Sequence, residues 1–124
     1  MTKPPISRIA LYVRDMAKVA KFYARHFGFE ETYSNGKDKL ILTQPGGVFH
    51  LVLLQASKGH RTGQSAVKII FDVADVARHR DEQARLGLKF GTIHKGPQYQ
   101  FANARDPAKN LIQISSGYLV DGKR

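Results

Sequence analysis

The sequence contains no cysteine among its 124 residues. This absence excludes a disulfide scaffold, a zinc site with thiolate ligands, an iron–sulfur cluster and a cysteine nucleophile. Long hydrophobic runs are also absent, and a membrane-spanning helix needs about 20 consecutive apolar residues. The opening residues, MTKPPISRIALYV, lack the apolar core of a signal peptide. We therefore expect a cytoplasmic protein that does not associate with a membrane.

Acidic residues are scarce. Ten Asp and Glu stand against twenty Lys and Arg, which gives a formal net charge of +10. Such an excess attracts anions in general, from nucleic acid to small acidic metabolites. The basic residues are scattered along the chain, and no RNA-recognition or zinc-finger signature is present. A basic protein that interacts with nucleic acid is therefore an alternative that we keep open but do not favour.

Hydrophobic periodicity predicts strand, helix and three strands in the first half of the chain. A strand at Ile6–Val13 precedes Asp15, a predicted N-cap, and an apolar stripe of helical spacing ends at Gly28. Asn35-Gly36 predicts a hairpin. The three strands that follow the helix are predicted at Glu30–Ser34, Lys39–Thr43 and Val48–Leu54.

The same order of elements is predicted again after a polar linker. Asp75 repeats Asp15 sixty positions later, and the second helix is expected to run to Leu86 with a thin buried stripe. That stripe is predicted to consist of Val76, Ala84 and Leu86. The strands of this half are predicted from Val67 to Val73 and at Lys89–Ile93, Tyr99–Ala104 and Leu111–Ser116.

Two βαβββ modules predict an α+β fold, in which two four-stranded sheets surround a cleft and each helix covers the outer face of its own sheet. We predict one domain over residues 1–124, with module one at 6–54 and a linker at 55–65. Module two then spans 66–116, and a C-terminal tail spans 117–124.

Two stretches carry a family resemblance. IALYVRDMAKVAKFYARHFGF resembles the opening of the vicinal oxygen chelate superfamily, and FANARDPAKNLIQIS resembles its closing hairpin. This superfamily includes glyoxalases, bleomycin resistance proteins and extradiol dioxygenases, so the resemblance implies the fold but no particular substrate. Asp106 is expected to form the closing turn, and Lys109 in place of the family's glycine suggests a different turn geometry.

The resemblance also implies four metal-ligand positions, which match Arg8, His50, Lys68 and Gln113. Arginine offers no lone pair, and lysine binds a metal only as the neutral amine. Only His50 and Gln113 remain as donors, where three or four are usual. We therefore expect no metal and no other cofactor, and we expect Arg8 and Lys68 to form an anion-binding floor.

Aromatic residues are expected to wall the same cleft. Tyr12, Tyr99 and Phe101 are predicted to contact the ligand together with the four ligand-position residues. His50 is the candidate catalytic residue, and His94 is a second candidate acid or base, whereas His60 is expected to be solvated.

These features leave three hypotheses for function. The first is a metal-free protein that binds a small anionic or polar-aromatic molecule. The second is a lyase, isomerase or oxygenase with a degenerate metal site, and the third is the nucleic-acid hypothesis above. We also expect a homodimer, because the free edges of the sheets need partners.

Overall fold

The structure is a computed structural model that describes residues 6–117. The chain divides into two compact units, Met1–Thr62 and Gly63–Arg124. Residues 1–5, which begin the stretch compared with signal peptides, lie outside the described residues. So does the predicted tail, apart from Gly117. No helix within the described residues is long and apolar enough to cross a membrane.

The first unit contains one helix and one four-stranded sheet, which we call sheet I. Its elements in chain order are β1 (Arg8–Val13), α1 (Met16–Phe27), β2 (Glu30–Ser34), β3 (Lys39–Thr43) and β4 (His50–Gln55). The strands lie in the order β1-β4-β3-β2. β1 and β4 are parallel, and the other neighbouring pairs are antiparallel.

The second unit repeats this arrangement, with a sheet that we call sheet II. Its elements are β5 (Lys68–Asp72), α2 (Val76–Arg85), β6 (His94–Lys95), β7 (Gln100–Arg105) and β8 (Leu111–Ser115). The strand order, β5-β8-β7-β6, matches that of sheet I, with the parallel pair again at β5 and β8. The predicted α+β fold of duplicated βαβββ modules is confirmed.

Local sequence explains where α1 begins and ends. The Asp15 carboxylate accepts a hydrogen bond from the Lys18 backbone N–H at 3.0 Å, as expected of an N-cap. Gly28 ends the helix in the left-handed conformation, with φ of 71°. The buried stripe is formed by Met16, Val19, Tyr23, His26 and Phe27.

Strand alternation divides sheet I into two faces. Leu11 and Val13 of β1 are buried, and so are Leu51 and Leu53 of β4, where Leu53 lies opposite Leu11 and Leu51 lies opposite Ile9. Because alternate residues point to opposite sides of a strand, the remaining residues lie on the other face. In each unit the apolar face of the sheet matches the apolar stripe of the helix. We call the opposite face of each sheet its helix-free face.

The buried stripe of α2 differs from the prediction. Val76 is buried, but Ala84 is exposed and Leu86 is 46% exposed. Gln83, sixty positions after the buried Tyr23, is buried instead. A glutamine can take this place because the stem of its side chain is apolar. A count of apolar residues alone therefore selected the wrong side chains.

The strand predicted at Lys89–Ile93 is wrong, since β6 contains only His94 and Lys95. Leu88 and Phe90 are buried in alternation, which is the pattern that predicted a strand. However, the Phe90 carbonyl accepts a hydrogen bond from Arg80 Nε of the helix at 3.3 Å. Gly91 N–H donates to the Asn103 carbonyl of β7 at 2.8 Å, but the regular pairing with β7 is given only by His94 and Lys95.

Smaller differences occur at strand ends. β1 begins at Arg8 and not at Ile6, and β8 ends at Ser115 and not at Ser116. β4 begins at His50 and not at Val48, whose side chain is 81% exposed. Ends of elements depend on where ladder partners stop, and hydrophobic periodicity does not report that.

The closing turn between β7 and β8 is organised by Asp106, as predicted. Its Oδ1 accepts hydrogen bonds from the backbone N–H groups of Ala108 at 2.9 Å and Asn110 at 2.8 Å. Lys109 has φ of 69°, and among the described residues it is the only non-glycine residue with positive φ. Lysine therefore adopts the left-handed conformation that a glycine adopts without steric cost.

This conformation predicts the effect of replacing Lys109. We expect Lys109→Gly to raise the free energy of unfolding by about 1 kcal/mol, because the steric cost of the left-handed region is removed. Lys109→Ala, which loses the same side chain but keeps Cβ, is the matched control and should give no such gain. Urea denaturation measures the free energy of unfolding of both variants. Equal values for the two variants would contradict backbone strain at Lys109.

Candidate functional site

The helix-free face of sheet I carries three of the predicted site residues. Arg8 and Tyr12 alternate with the buried positions of β1 and are both exposed. In the parallel pairing of β1 with β4, Arg8 lies opposite His50. Strand register therefore brings a guanidinium and an imidazole to neighbouring positions of one sheet face.

His50 is held by a row of hydroxyl groups. Its Nδ1 lies 2.8 Å from Thr43 Oγ1, and Thr43 Oγ1 lies 3.0 Å from Thr32 Oγ1. The imidazole is half-buried. Within residues 6–117 the structure records no hydrogen-bond partner for Nε2, so this nitrogen is the one available to a ligand.

Arg8 has no ion-pair partner recorded within the described residues. The carboxylate in its row of the sheet is Glu30 of β2. Glu30 lies opposite Thr43 of β3, which in turn lies opposite His50. That position is three strands from β1, or roughly 14 Å at the usual spacing of neighbouring strands. An ion pair requires contact within about 4 Å, so the charge of Arg8 stays available to an external anion.

Tyr12 contacts a histidine that we expected to be solvated. The ring centroids of Tyr12 and His60 are 4.4 Å apart, and His60 is half-buried. The Arg14 guanidinium fixes this loop by donating to the backbone carbonyls of Ser57, at 2.9 Å, and His60. The surface expectation for His60 was wrong because residues 57–60 fold back onto the end of β1.

The helix-free face of sheet II carries Lys68 and Gln113. Lys68 is exposed and lies opposite Leu111, whereas Gln113 lies opposite Ile70, one pleat further along β8. Gln113 is only 8% exposed. Its Nε2 donates a hydrogen bond of 2.8 Å to Oδ1 of Asn103, its cross-strand neighbour on β7.

The predicted aromatic residues of the second unit form a contiguous group with His94. The rings of His94 and Phe101 are stacked at a centroid distance of 4.9 Å. Tyr99 extends the group, with its centroid 6.2 Å from that of Phe101. We call these three residues the aromatic cluster. It belongs to the same sheet as the Gln113–Asn103 pair.

The donor set does not fit the family's divalent metal. Arg8 and Lys68 are cations at two of the four matched positions, and His50 already uses Nδ1 on a threonine. In the part of the chain that the structure describes, no group of three or more His, Cys, Asp or Glu side chains is placed to hold a metal ion. His50 and a side-chain amide give too few ligands for a stable site.

The structure thus places Arg8, Tyr12 and His50 on sheet I, and Lys68, Phe101 and Gln113 on sheet II, where Tyr99 immediately precedes β7. Sequence reasoning missed Thr43 and Asn103, the hydrogen-bond partners of His50 and Gln113. Both residues alternate with buried positions of predicted strands. The signal that would have found them is cross-strand register, which a single strand's pattern does not contain.

Comparison with protein families gives one match over nearly the whole described chain. The model of the Glyoxalase/Bleomycin resistance protein/Dioxygenase superfamily matches residues 6–114. The chain belongs to this superfamily. A comparison with curated proteins gives no significant match.

Several solved structures share the fold. TnmS3, an antibiotic binding protein from a Streptomyces species, has a TM-score of 0.76 at 19% identity, covering 92% of this chain and 96% of its own. A lactoylglutathione lyase from Agrobacterium tumefaciens has a TM-score of 0.73 at 23% identity, with coverages of 95% and 98%. The fosfomycin resistance protein FosX from Listeria monocytogenes has 0.76 at 18%, with 92% and 93%. At these identities the likeness shows the fold alone.

Proposed function

We propose that the protein binds a small anionic or polar-aromatic molecule on the helix-free faces of its sheets, without the family's divalent metal. The observation that carries the proposal is Arg8 opposite His50, with no ion pair to Arg8 recorded in residues 6–117. The exposed guanidinium supplies positive charge, and the fixed imidazole beside it supplies a nitrogen in a defined orientation. Both are features of a carboxylate or phosphate site.

The chemistry of each side chain supports an anion on sheet I. The planar fork of Arg8 presents paired N–H donors that match a carboxylate. His50 is anchored through Nδ1, so Nε2 is presented in one orientation. The Tyr12 ring, held against His60, gives an apolar surface beside the charged groups.

Sheet II supports the polar-aromatic part of the proposal. Lys68 is an exposed cation, and Phe101 offers ring surface between the stacked His94 ring and the tilted Tyr99 ring. Among proteins of the same fold, TnmS3 is described as antibiotic binding and FosX as a fosfomycin resistance protein. We propose the same broad role, small-molecule binding, for this chain.

A second candidate function is acid–base catalysis by His50. The Thr43 contact favours it, because a hydrogen bond at Nδ1 orients the ring and leaves Nε2 for proton transfer. A lyase or isomerase of the family needs such a group. If the ligand is consumed on incubation and His50→Asn abolishes the consumption without weakening binding, the protein is an enzyme and not a binding protein.

Metal titration tests the metal-free part of the proposal. We expect nickel, zinc, manganese and iron(II) to show no stoichiometric binding to the purified protein, because two of four ligand positions are cations. Calorimetry and elemental analysis give the stoichiometry. A single tight site that disappears in both His50→Ala and Gln113→Ala would overturn this expectation.

Removing the cations tests the anion site. We expect Arg8→Ala to weaken benzoate or phenyl phosphate binding about tenfold to a hundredfold, which corresponds to roughly 1.5–3 kcal/mol for a bidentate charged contact. Arg8→Lys should also weaken binding, because a point charge lacks the planar fork. Lys68→Met tests the cation of sheet II by itself: it should weaken binding of these anions to sheet II while thermal stability holds or rises, because the apolar stem is kept.

Arg25→Ala is the matched control for this series. Arg25 is exposed in the last turn of α1, so the variant changes the net charge equally but leaves sheet I intact. Calorimetric dissociation constants compare the variants. If Arg8→Ala and Arg25→Ala weaken anion binding equally, the anion is attracted by the overall positive charge of the protein and not by a site at Arg8.

We further propose that the protein forms a homodimer. All five residues of β2, an edge strand of sheet I, are exposed, and Tyr33 on it is 49% exposed. An exposed edge strand presents unpaired backbone groups, which proteins normally cover. Analytical ultracentrifugation should give about twice the chain mass of 13.9 kDa. A monomer at all protein concentrations tested would contradict the dimer.

A further inference from the structure

The Gln113–Asn103 pair lies near the centre of the helix-free face of sheet II. Gln113 belongs to β8 and Asn103 to β7, both interior strands of the sheet, and the two residues are directly opposite. Their side chains share one hydrogen bond, from Gln113 Nε2 to Asn103 Oδ1, at 2.8 Å. Two neutral amides are therefore joined at a nearly buried position.

This single bond leaves the carbonyl group of one side chain and the amino group of the other without any hydrogen bond to the protein over residues 6–117. Within the described residues, Gln113 Oε1 and Asn103 Nδ2 have no recorded hydrogen-bond partner. If the oxygen and nitrogen of both amides are exchanged, one free donor and one free acceptor remain. The pair therefore offers one free donor group and one free acceptor group whichever way the oxygen and nitrogen atoms of the amides are assigned.

A purely structural role explains this arrangement poorly. Two primary amides that serve only to join strands satisfy each other best through two reciprocal bonds. Here a carbonyl stays unused although the side chain as a whole is only 8% exposed, and neither polar atom of the pair is among the buried, unpartnered atoms of the described residues, so the carbonyl reaches solvent. It is therefore accessible to a ligand that supplies an N–H to the carbonyl and accepts from the amino group.

The surroundings favour a flat ligand. Phe101 precedes Asn103 by two residues on β7, so both lie on the same face about 7 Å apart along the strand. Phe101 carries the stacked His94 ring, and Ile70 beside Gln113 is 56% exposed. An aromatic surface and an apolar side chain thus flank the two amides, at a distance that a fused bicyclic ring spans.

We propose that the helix-free face of sheet II recognises the amide edge of a planar aromatic lactam. The lactam N–H donates to the free side-chain carbonyl, its C=O accepts from the free amino group, and its ring contacts Phe101 and Ile70. This inference deepens the proposed function, on which it rests, by naming the chemical class of the polar-aromatic ligand. No positive charge takes part in the recognition.

A matched pair of probes tests the proposal. 2-Quinolone presents the N–H and C=O of a cis amide side by side, and N-methyl-2-quinolone is the same bicycle with the N–H blocked. We expect 2-quinolone to bind at least tenfold more tightly in NMR titrations of the wild-type protein. Equal affinity for the two probes would overturn the proposal.

Variants of the pair assign the preference to these residues. The double variant Gln113→Met/Asn103→Leu removes both amides without leaving one unpaired, so the fold should be kept. We expect the preference for 2-quinolone to disappear in it. Asn103→Asp, which keeps the acceptor for Gln113 Nε2 but loses the free amino group, should reduce the preference as well and serves if the double variant fails to fold. A preference that survives in the folded variants would overturn the proposal.

The cation variants separate this inference from the proposed function. Arg8→Ala should leave the quinolone preference unchanged, because both probes are neutral and Arg8 lies on sheet I. If benzoate and phenyl phosphate bind independently of Arg8 and Lys68 but the quinolone preference depends on Asn103, the anion site fails and the lactam site stands. If the quinolone preference instead depends on Arg8, the lactam site is wrong.

Discussion

Each unit has one helix and one sheet, and a sheet has two faces. The helix matches the apolar face formed in unit one by residues such as Leu11, Leu51 and Leu53. Strand alternation then assigns the residues between these apolar positions to the helix-free face, where some of them, such as Val52, are buried as well. The placement of Arg8, Tyr12 and His50 follows from the burial of their neighbours. The candidate site is therefore a consequence of core formation.

Register adds the second constraint. The parallel pairing of β1 with β4 places Arg8 opposite His50, whereas the equivalent pairing of β5 with β8 places Lys68 opposite Leu111. The two modules share their topology but not the side chains that it brings together. In sheet I a cation meets an imidazole, and in sheet II an amide meets an amide. Duplication of the backbone has thus given two faces of different chemistry.

The parts of the fold that the sequence predicted are those that depend on local signals. Asp15 and Asp75 cap helices through their own neighbours, and Asp106 organises the closing turn with amides two and four residues away. The errors arise where distant residues decide. Arg80 of α2 contacts the Phe90 carbonyl, and the polar Gln83 is buried where the sequence suggested exposure.

The same distinction applies to the candidate site. The predicted residues came from alternation and family resemblance, which read each strand by itself. Thr43 and Asn103 act through their partners on the neighbouring strand, so only pairing reveals that they fix His50 and Gln113. These partners also change the chemistry of the residues they hold. A histidine bonded at Nδ1 offers one defined nitrogen, and a glutamine bonded at its amino group offers a carbonyl.

Scarcity of acidic residues connects these observations. With ten carboxylates for twenty cations, the chain has few internal partners for its arginines and lysines. The carboxylate in the row of Arg8 stands three strands away, too far to neutralise it. The charge of Arg8, at a position that the family resemblance matches to a metal ligand, is therefore the physical basis of the proposed anion site. The lactam site proposed on sheet II depends instead on hydrogen-bond pattern and shape, which a general excess of positive charge does not provide.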